Sequence, residues 1–136
     1  MTVRPLAASP TAAHALARQA RTHLRRVAAG ATPITYRALA EALQLTPPNT
    51  IHRVAQALEL LMQEDAQNGH PFIAALVVSR ARVGMPAPGF FDAARQLGHF
   101  AGDSAGPEAW AFHRAALGAA VVFWRSADGA ENDDVA

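Results

Sequence analysis

Two adjacent prolines, Pro47 and Pro48, constrain this chain more than any other feature, because they split what would otherwise be one long helical pattern into two. Neither offers a backbone donor and each pushes the preceding residue toward extended backbone, so Gln44-Leu-Thr-Pro-Pro48 reads as a turn. Ahead of it, Thr32-Pro-Ile-Thr-Tyr-Arg-Ala-Leu-Ala-Glu-Ala-Leu43 predicts a short helix with Thr35 as N-cap and Leu39, Ala42 and Leu43 pointing one way. Behind it, Asn49 stands where it can cap a longer helix. There Ile51, Val54, Leu58, Leu61 and Met62 keep helical spacing until Asn68-Gly69 ends it. Two helices joined by a tight turn result.

The flanking segments follow the same logic. Ser9-Pro10 can open an N-terminal helix over Thr11 to Ala29, stopped by Gly30. Leu16, Ala20, Leu24 and Val27 form its apolar stripe, with His14, Arg18, Arg21 and Arg25 as a basic outer face. Phe72 to Val78 is a short β-branched run that predicts a mostly buried strand, and Ser79 to Gly84 predicts a return strand, giving a wing-like hairpin before the rigid loop Met85-Pro-Ala-Pro-Gly89. A brief helix is expected over Phe90 to Leu97, then a Gly/Asp/Ser linker over 99–106, and a last helix from Pro107 to about Trp124. Trp110, Arg114, Leu117, Val121 and Trp124 share one stripe of that helix. Phe112, Ala116, Ala119 and Phe123 make much of the other side apolar, so it wants burial on more than one side.

The fold class expected is therefore mainly α with a small β-hairpin, a winged helix-turn-helix-like domain carrying extra N- and C-terminal helices. At 136 residues the chain suits one hydrophobic core. We expect a flexible N-terminus over 1–8, a single domain over 9–125 and a disordered acidic tail over 126–136.

Composition removes several function classes. With no cysteine there is no disulfide, no thiolate nucleophile and no sulfur-ligated zinc, which suits a cytosolic location. No apolar run is long enough to span a bilayer, so no membrane partner is expected. The formal net charge of +1 conceals an asymmetry: residues 1–60 carry seven arginines against Glu41 and Glu59, a balance of +5, while residues 61–136 balance at −4. A basic N-terminal half is compatible with a polyanionic partner. The six histidines show no i, i+4 pair, so no metal or other cofactor is expected. Ser79 has no nucleophile elbow and no identifiable base, so no catalytic residue is assigned and the chain reads as non-enzymatic. Glu64 and Asp65, adjacent on a helix and so pointing apart, read as a solvated helix end.

The helix-turn-helix with a wing is the strongest organisational signal. In such a unit one helix braces the next, whose exposed N-terminal half enters a groove of DNA while its apolar stripe stays packed. Thr50, His52, Arg53 and Gln56 are the polar residues available there; Arg pairs with a base edge or a phosphate, and Gln reads adenine. On an extended wing Arg80 and Arg82 would share one face, suited to phosphate contact or simply blunting an exposed strand edge. Arg18, Arg21, Arg25 and Arg26 either neutralise phosphates or form the solvated side of the first helix.

The stretch from Ile34 to about Phe91 resembles the DNA-binding domain of the alkylguanine-DNA alkyltransferases and their non-enzymatic alkyltransferase-like relatives. In that family a Thr/Ser-Tyr-x-x-Leu-Ala helix precedes a helix carrying Ala-Arg-Ala-Val, an apolar strand ending in Pro-Cys-His-Arg, and a Gly-Gly-Tyr loop. Thr35-Tyr36-Arg-Ala-Leu39-Ala40 matches the first element. Ile51-His52-Arg53-Val54 lies at the groove-inserting segment, the family arginine falling on His52. Ser79-Arg80-Ala81-Arg82 replaces the reactive tetrad, and Gly84 to Phe91 resembles the following loop. Neither acceptor thiol nor activating histidine is present, so the resemblance implies a retained DNA-binding scaffold without thiolate transfer. It also implies a phosphate contact for Tyr36, against which stands a ring merely packed on its helix. Duplex DNA is the partner this implies. The other expectation is a protein-interaction or dimerisation module on the same scaffold, using the apolar C-terminal helix.

Overall fold

The computed structural model describes the backbone of residues 8–135 and the side chains of residues 12–125. It is mainly helical: α1 (Ala8–Gly30), β1 (Ile34–Thr35), α2 (Tyr36–Ala42), α3 (Thr50–Asn68), a 3-10 turn Ile73–Leu76, β2 (Val77–Val78), a 3-10 turn Arg80–Arg82, α4 (Pro88–Gln96) and α5 (Pro107–Val135). Of the N-terminus expected to be flexible over 1–8, residues 1–7 lie outside those described, while Ala8 already belongs to α1, so the helix backbone starts ahead of the expected Ser9-Pro10 cap. In α5 the backbone runs on as helix to Val135, through the stretch read as an acidic tail, whose side chains lie outside the description.

Thr35 caps α2 as expected, its hydroxyl accepting from the Ala38 N–H at 3.0 Å. Gly69, in the left-handed region at φ 70°, ends α3. Asn49 stands at the N-cap of α3, but it is itself left-handed (φ 63°) and makes no side-chain cap bond. The tight turn holds it there for geometry rather than for capping. A cis peptide joins Pro47 to Pro48 within that turn.

The small β element differs from the hairpin expected. β1 and β2 pair in parallel, Ile34 with Val77 and Thr35 with Val78. The run from Phe72 is mostly a fully buried 3-10 turn, Ile73–Leu76, which an apolar run alone does not distinguish from a buried strand. The return strand is absent: Arg80–Arg82 coil into a second 3-10 turn, and the wing is reduced to a loop closed by one antiparallel bridge between Ser79 and Met85. Arg80 and Arg82 accordingly do not share a strand face.

The core lies where α1, α3, α5 and the 73–76 turn converge. In α1 the fully buried positions are Ala17, Ala20, Leu24 and Ala28, with Leu16 and Val27 half-buried, so small residues let α1 and α3 approach closely. In α3 the stripe holds for Val54, Leu58, Leu61 and Met62, whereas Ile51 escapes it and is 47% exposed. In α5 the buried line is Ala109, His113 and Ala120, each one step before the stripe expected, joined by Trp124 from that stripe, and Trp110 is 46% exposed. Phe72, Phe90, Phe91, Phe100 and Phe112 form an aromatic cluster between α4 and the start of α5, with centroids 5.0 to 6.3 Å apart.

Asp65 overturns the expectation of a solvated helix end, since it is 1% exposed. Its Oδ2 accepts from the Ile73 N–H at 3.0 Å, and its Oδ1 lies 2.9 Å from Arg21 Nη1. That contact lacks hydrogen-bond alignment, so charge holds it more than direction. Arg21 also donates to Glu64 at 3.0 Å and lies 4.8 Å over the ring of Trp124, whose indole N–H donates to the Pro71 carbonyl at 2.9 Å. Arg21 has thereby left the basic outer face of α1. Burial pushes the Asp65 carboxyl above its ordinary range, outweighing the Ile73 N–H and Arg21.

Replacing Asp65 by Ala is expected to cost about 3 kcal/mol or more, because the buried Arg21 Nη1 and the Ile73 N–H both lose their partner while, among the described residues, Arg21 keeps only the Glu64 carboxylate. Asp65→Asn, which keeps an acceptor for Ile73, is expected to cost less; urea unfolding midpoints check both. His113 supplies a pH dependence. Its Nε2 lies 2.9 Å from the Ala75 carbonyl, which can only accept, so Nε2 carries the hydrogen; burial lowers the pKa of the ring below its ordinary 6.5. The stability it supplies is complete above about pH 6.5 and is withdrawn as pH falls toward the lower folded value. Comparing unfolding of the wild type with His113→Gln from pH 7.5 to 5 should show the wild type losing ground, with the opposite-signed contribution of Asp65 common to both proteins.

Candidate functional site

The sequence places its candidate residues on α2, on the first turns of α3 and on the 79–85 loop, and the structure sorts them by where each element turns them. On α3, Val54, Ala57, Leu58 and Leu61 face the core. Counting 100° per residue, His52, Gln56 and Glu59 then point directly away from it, while Arg53 and Ile51 lie on opposite flanks. The exposures agree: His52, Arg53 and Gln56 are exposed, and Thr50 is half-buried at the start of the helix. Arg53 reaches back to the Thr46 carbonyl at 3.4 Å, across the proline turn. Together with Gln56 it borders a groove whose other wall is α1, at Ala12, Leu16 and Gln19.

The opposite flank of α3 faces a second groove, of about 360 Å³, bounded by Thr35, Tyr36 and Arg37 of β1 and α2, Ile51 and Ala55 of α3, and Ser79, Arg80 and Ala81 of the loop. The parallel pairing of β1 with β2 makes this groove. By joining Thr35 to Val78 it sets the start of α2 beside the start of the loop. A separate, smaller cavity of about 40 Å³ shares Tyr36, Ala55 and Ala87 with it and is further lined by Leu58, Met62 and Phe90 and by the carboxylate-bearing Glu59.

Tyr36 separates the two spaces. Its hydroxyl oxygen accepts from the Ala87 N–H at 3.0 Å, and burial raises its pKa above the ordinary 10.0, keeping it a neutral phenol. It pins the loop before α4 to α2. Arg82 is likewise structural: it donates to the Ser104 carbonyl at 2.8 Å and lies 6.0 Å from the Phe91 ring, tying the loop to the 99–106 linker. Arg80 turns outward and is exposed. Of the two loop arginines, one faces solvent and the other the protein.

Sequence reasoning missed Arg37. The signal was present, because burying Leu39 and Ala40 of α2 turns Arg37 to the surface. Among the described residues neither Arg37 nor Arg80 has a hydrogen-bond or ion-pair partner, whereas Arg21, Arg82 and Arg95 are all engaged. The α1 arginines divide similarly: Arg18 and Arg26 are exposed, while Arg25 lies 5.8 Å over Trp124. Among the described residues no cluster of three or more His, Asp or Glu could hold a metal ion, and no helix is long and apolar enough to cross a membrane.

Tyr36→Phe keeps the ring and removes the acceptor for the Ala87 N–H. The expected loss is about 1 kcal/mol, read by thermal or urea unfolding, with faster hydrogen exchange confined to Ala87 and the start of α4.

Comparison with protein-family models, with curated proteins and with solved structures returns no match for this chain.

Proposed function

We propose that this chain is a non-enzymatic DNA-binding protein that presents the first turns of α3, together with the 79–85 loop, to duplex DNA. The observation that carries this reading is the pairing of an outward polar ridge, His52 and Gln56 with Glu59 one turn further along, with cations on both flanks of its start: Arg53 on one side, and Arg37 and Arg80 on the other. A helix mounted this way can offer side chains to base edges while arginines beside it neutralise phosphates, the division of labour common to helix-turn-helix proteins. Gln56 suits adenine and His52 suits a base edge or a phosphate. The +5 balance of residues 1–60 and the likeness of Thr35 to Ala40 and of Ile51 to Val54 to the alkyltransferase scaffold point the same way. Tyr36 and Arg82, committed to Ala87 and Ser104, act in this reading as supports of the surface.

A second reading, a protein-interaction module, rests on the exposure of Trp110 (46%) and Val122 (58%) on α5. It is the weaker one, because Trp124 is buried and Phe112 and Phe123 are half-covered by the chain itself.

Affinity for duplex DNA is expected to fall linearly with the logarithm of salt concentration. Arg53→Ala with Arg80→Ala should reduce that slope by about two, one for each phosphate that is no longer neutralised. Fluorescence anisotropy on a labelled duplex at several salt concentrations measures both. Undiminished affinity in the double variant would refute this surface. Absence of binding at low salt, combined with a dimer in light scattering that Trp110→Ala dissociates, would favour the interaction module.

A further inference from the structure

We infer that the groove between α2, α3 and the 79–85 loop is a binding site for a small organic anion, an apolar body carrying one carboxylate or phosphate. This goes beyond DNA binding and does not depend on it. Three features of the site carry it.

The first is charge without compensation. Arg37 and Arg80 border one groove, and among the described residues no acidic side chain or carbonyl is bonded to either. Two guanidiniums on one concave surface attract an anion and, being planar forks, bind an oxyanion with more than one hydrogen bond. The hydroxyl of Ser79, half-buried in the same groove and also without a side-chain partner among the described residues, adds a neutral donor.

The second is the apolar lining beyond the charges. Ile51, nearly half exposed, and Ala55 form one wall, and the adjoining cavity, which shares Tyr36, Ala55 and Ala87, is lined mainly by apolar groups, Leu58, Met62 and Phe90 among them, with Glu59 as its one acidic neighbour. A highly charged or fully hydrated ion would gain nothing from this lining, whereas an aromatic or branched aliphatic body would bury apolar surface against it.

The third is size. The groove, about 360 Å³, is in the range of small-ligand sites, while the adjoining cavity, about 40 Å³, is too small to hold such a body. An amphipathic anion lying in the groove with its apolar body against Ile51 and Ala55 would leave its charge beside Arg37 and Arg80. The pinning of Ala87 by Tyr36 keeps the groove formed before a ligand arrives.

The test uses the full chain without DNA, titrated at fixed ionic strength with phenylacetate, phenyl phosphate and the neutral phenylacetamide, and followed by backbone amide shifts in NMR. Saturable shifts at Arg37, Ile51, Ser79 and Arg80 with either anion, and binding at least about tenfold weaker for the amide, support the site; the preferred anion tells a carboxylate source from a phosphate source. Arg37→Ala with Arg80→Ala, both exposed and so compatible with folding, should abolish the preference for the anion over the amide. Ala55→Leu, filling part of the groove wall from the helix surface, should weaken binding of all three compounds. No saturable shift with either anion, equal binding of the amide, or full affinity in the double arginine variant would overturn the inference. Since no nucleic acid is present, such a failure leaves the DNA reading untouched, and a failure of salt-dependent DNA binding leaves this site untouched.

Discussion

A carboxylate removed from water must be met by charge and hydrogen bonds, and Asp65 meets that requirement at the point where four parts of the chain converge. Its two oxygens face Arg21 of α1 and the Ile73 N–H of the buried 3-10 turn, and Arg21 in turn lies against Trp124 of α5. Burying such a pair is not a large source of net stability, because desolvation offsets most of the Coulombic gain, and the raised pKa of Asp65 reflects that cost. What it supplies is specificity of arrangement. The registration of α1 on α3 brings the guanidinium to the carboxylate, and the position of α5 brings the indole over the guanidinium while its N–H reaches Pro71.

The same registration sets the surface of interest. The 73–76 turn, tied to α3 by Asp65, leads directly into β2, and the pairing of β2 with β1 sets the position of α2 and of the loop that begins at Ser79. The groove beside α3 is thus linked to the Arg21–Asp65 pair through elements that are almost wholly buried. Tyr36 and Arg82 complete the support from the outer side, each committing its polar group to a backbone atom of a neighbouring segment. That leaves Arg37, Arg80, His52 and Gln56 with their polar groups turned to solvent. A site whose outward residues are backed by committed inner ones is preorganised for recognition and has little to rearrange on binding.

Much of the helical layout was legible in the residues. The proline pair marked the turn, the Thr35 cap and the Gly69 stop marked two helix ends, and helical spacing located the stripe from Val54 to Met62. The β element was not legible. An apolar run such as Phe72 to Val78 satisfies a buried 3-10 turn as well as a strand, and two-residue strands leave no periodicity to detect. The candidate site was half legible. His52, Arg53, Gln56 and Arg80 do stand at the surface, yet Arg82 turns inward because its segment coils where extended backbone was expected. Asp65 looked like one of two surface carboxylates because nothing local distinguishes it from Glu64.

Taken alone, then, the order of residues determined which segments are helical and where they stop, together with the basic bias of the first half and the absence of any thiol, since each follows from local sterics, spacing or composition. The tertiary structure decided which arginines are spoken for. Arg21 and Arg82 found partners far along the chain in Asp65 and Ser104, while Arg37 and Arg80 found none among the described residues. A guanidinium carries the same charge in every context, so only the placement of distant carboxylates and carbonyls could separate the arginines that hold the fold from those left facing solvent.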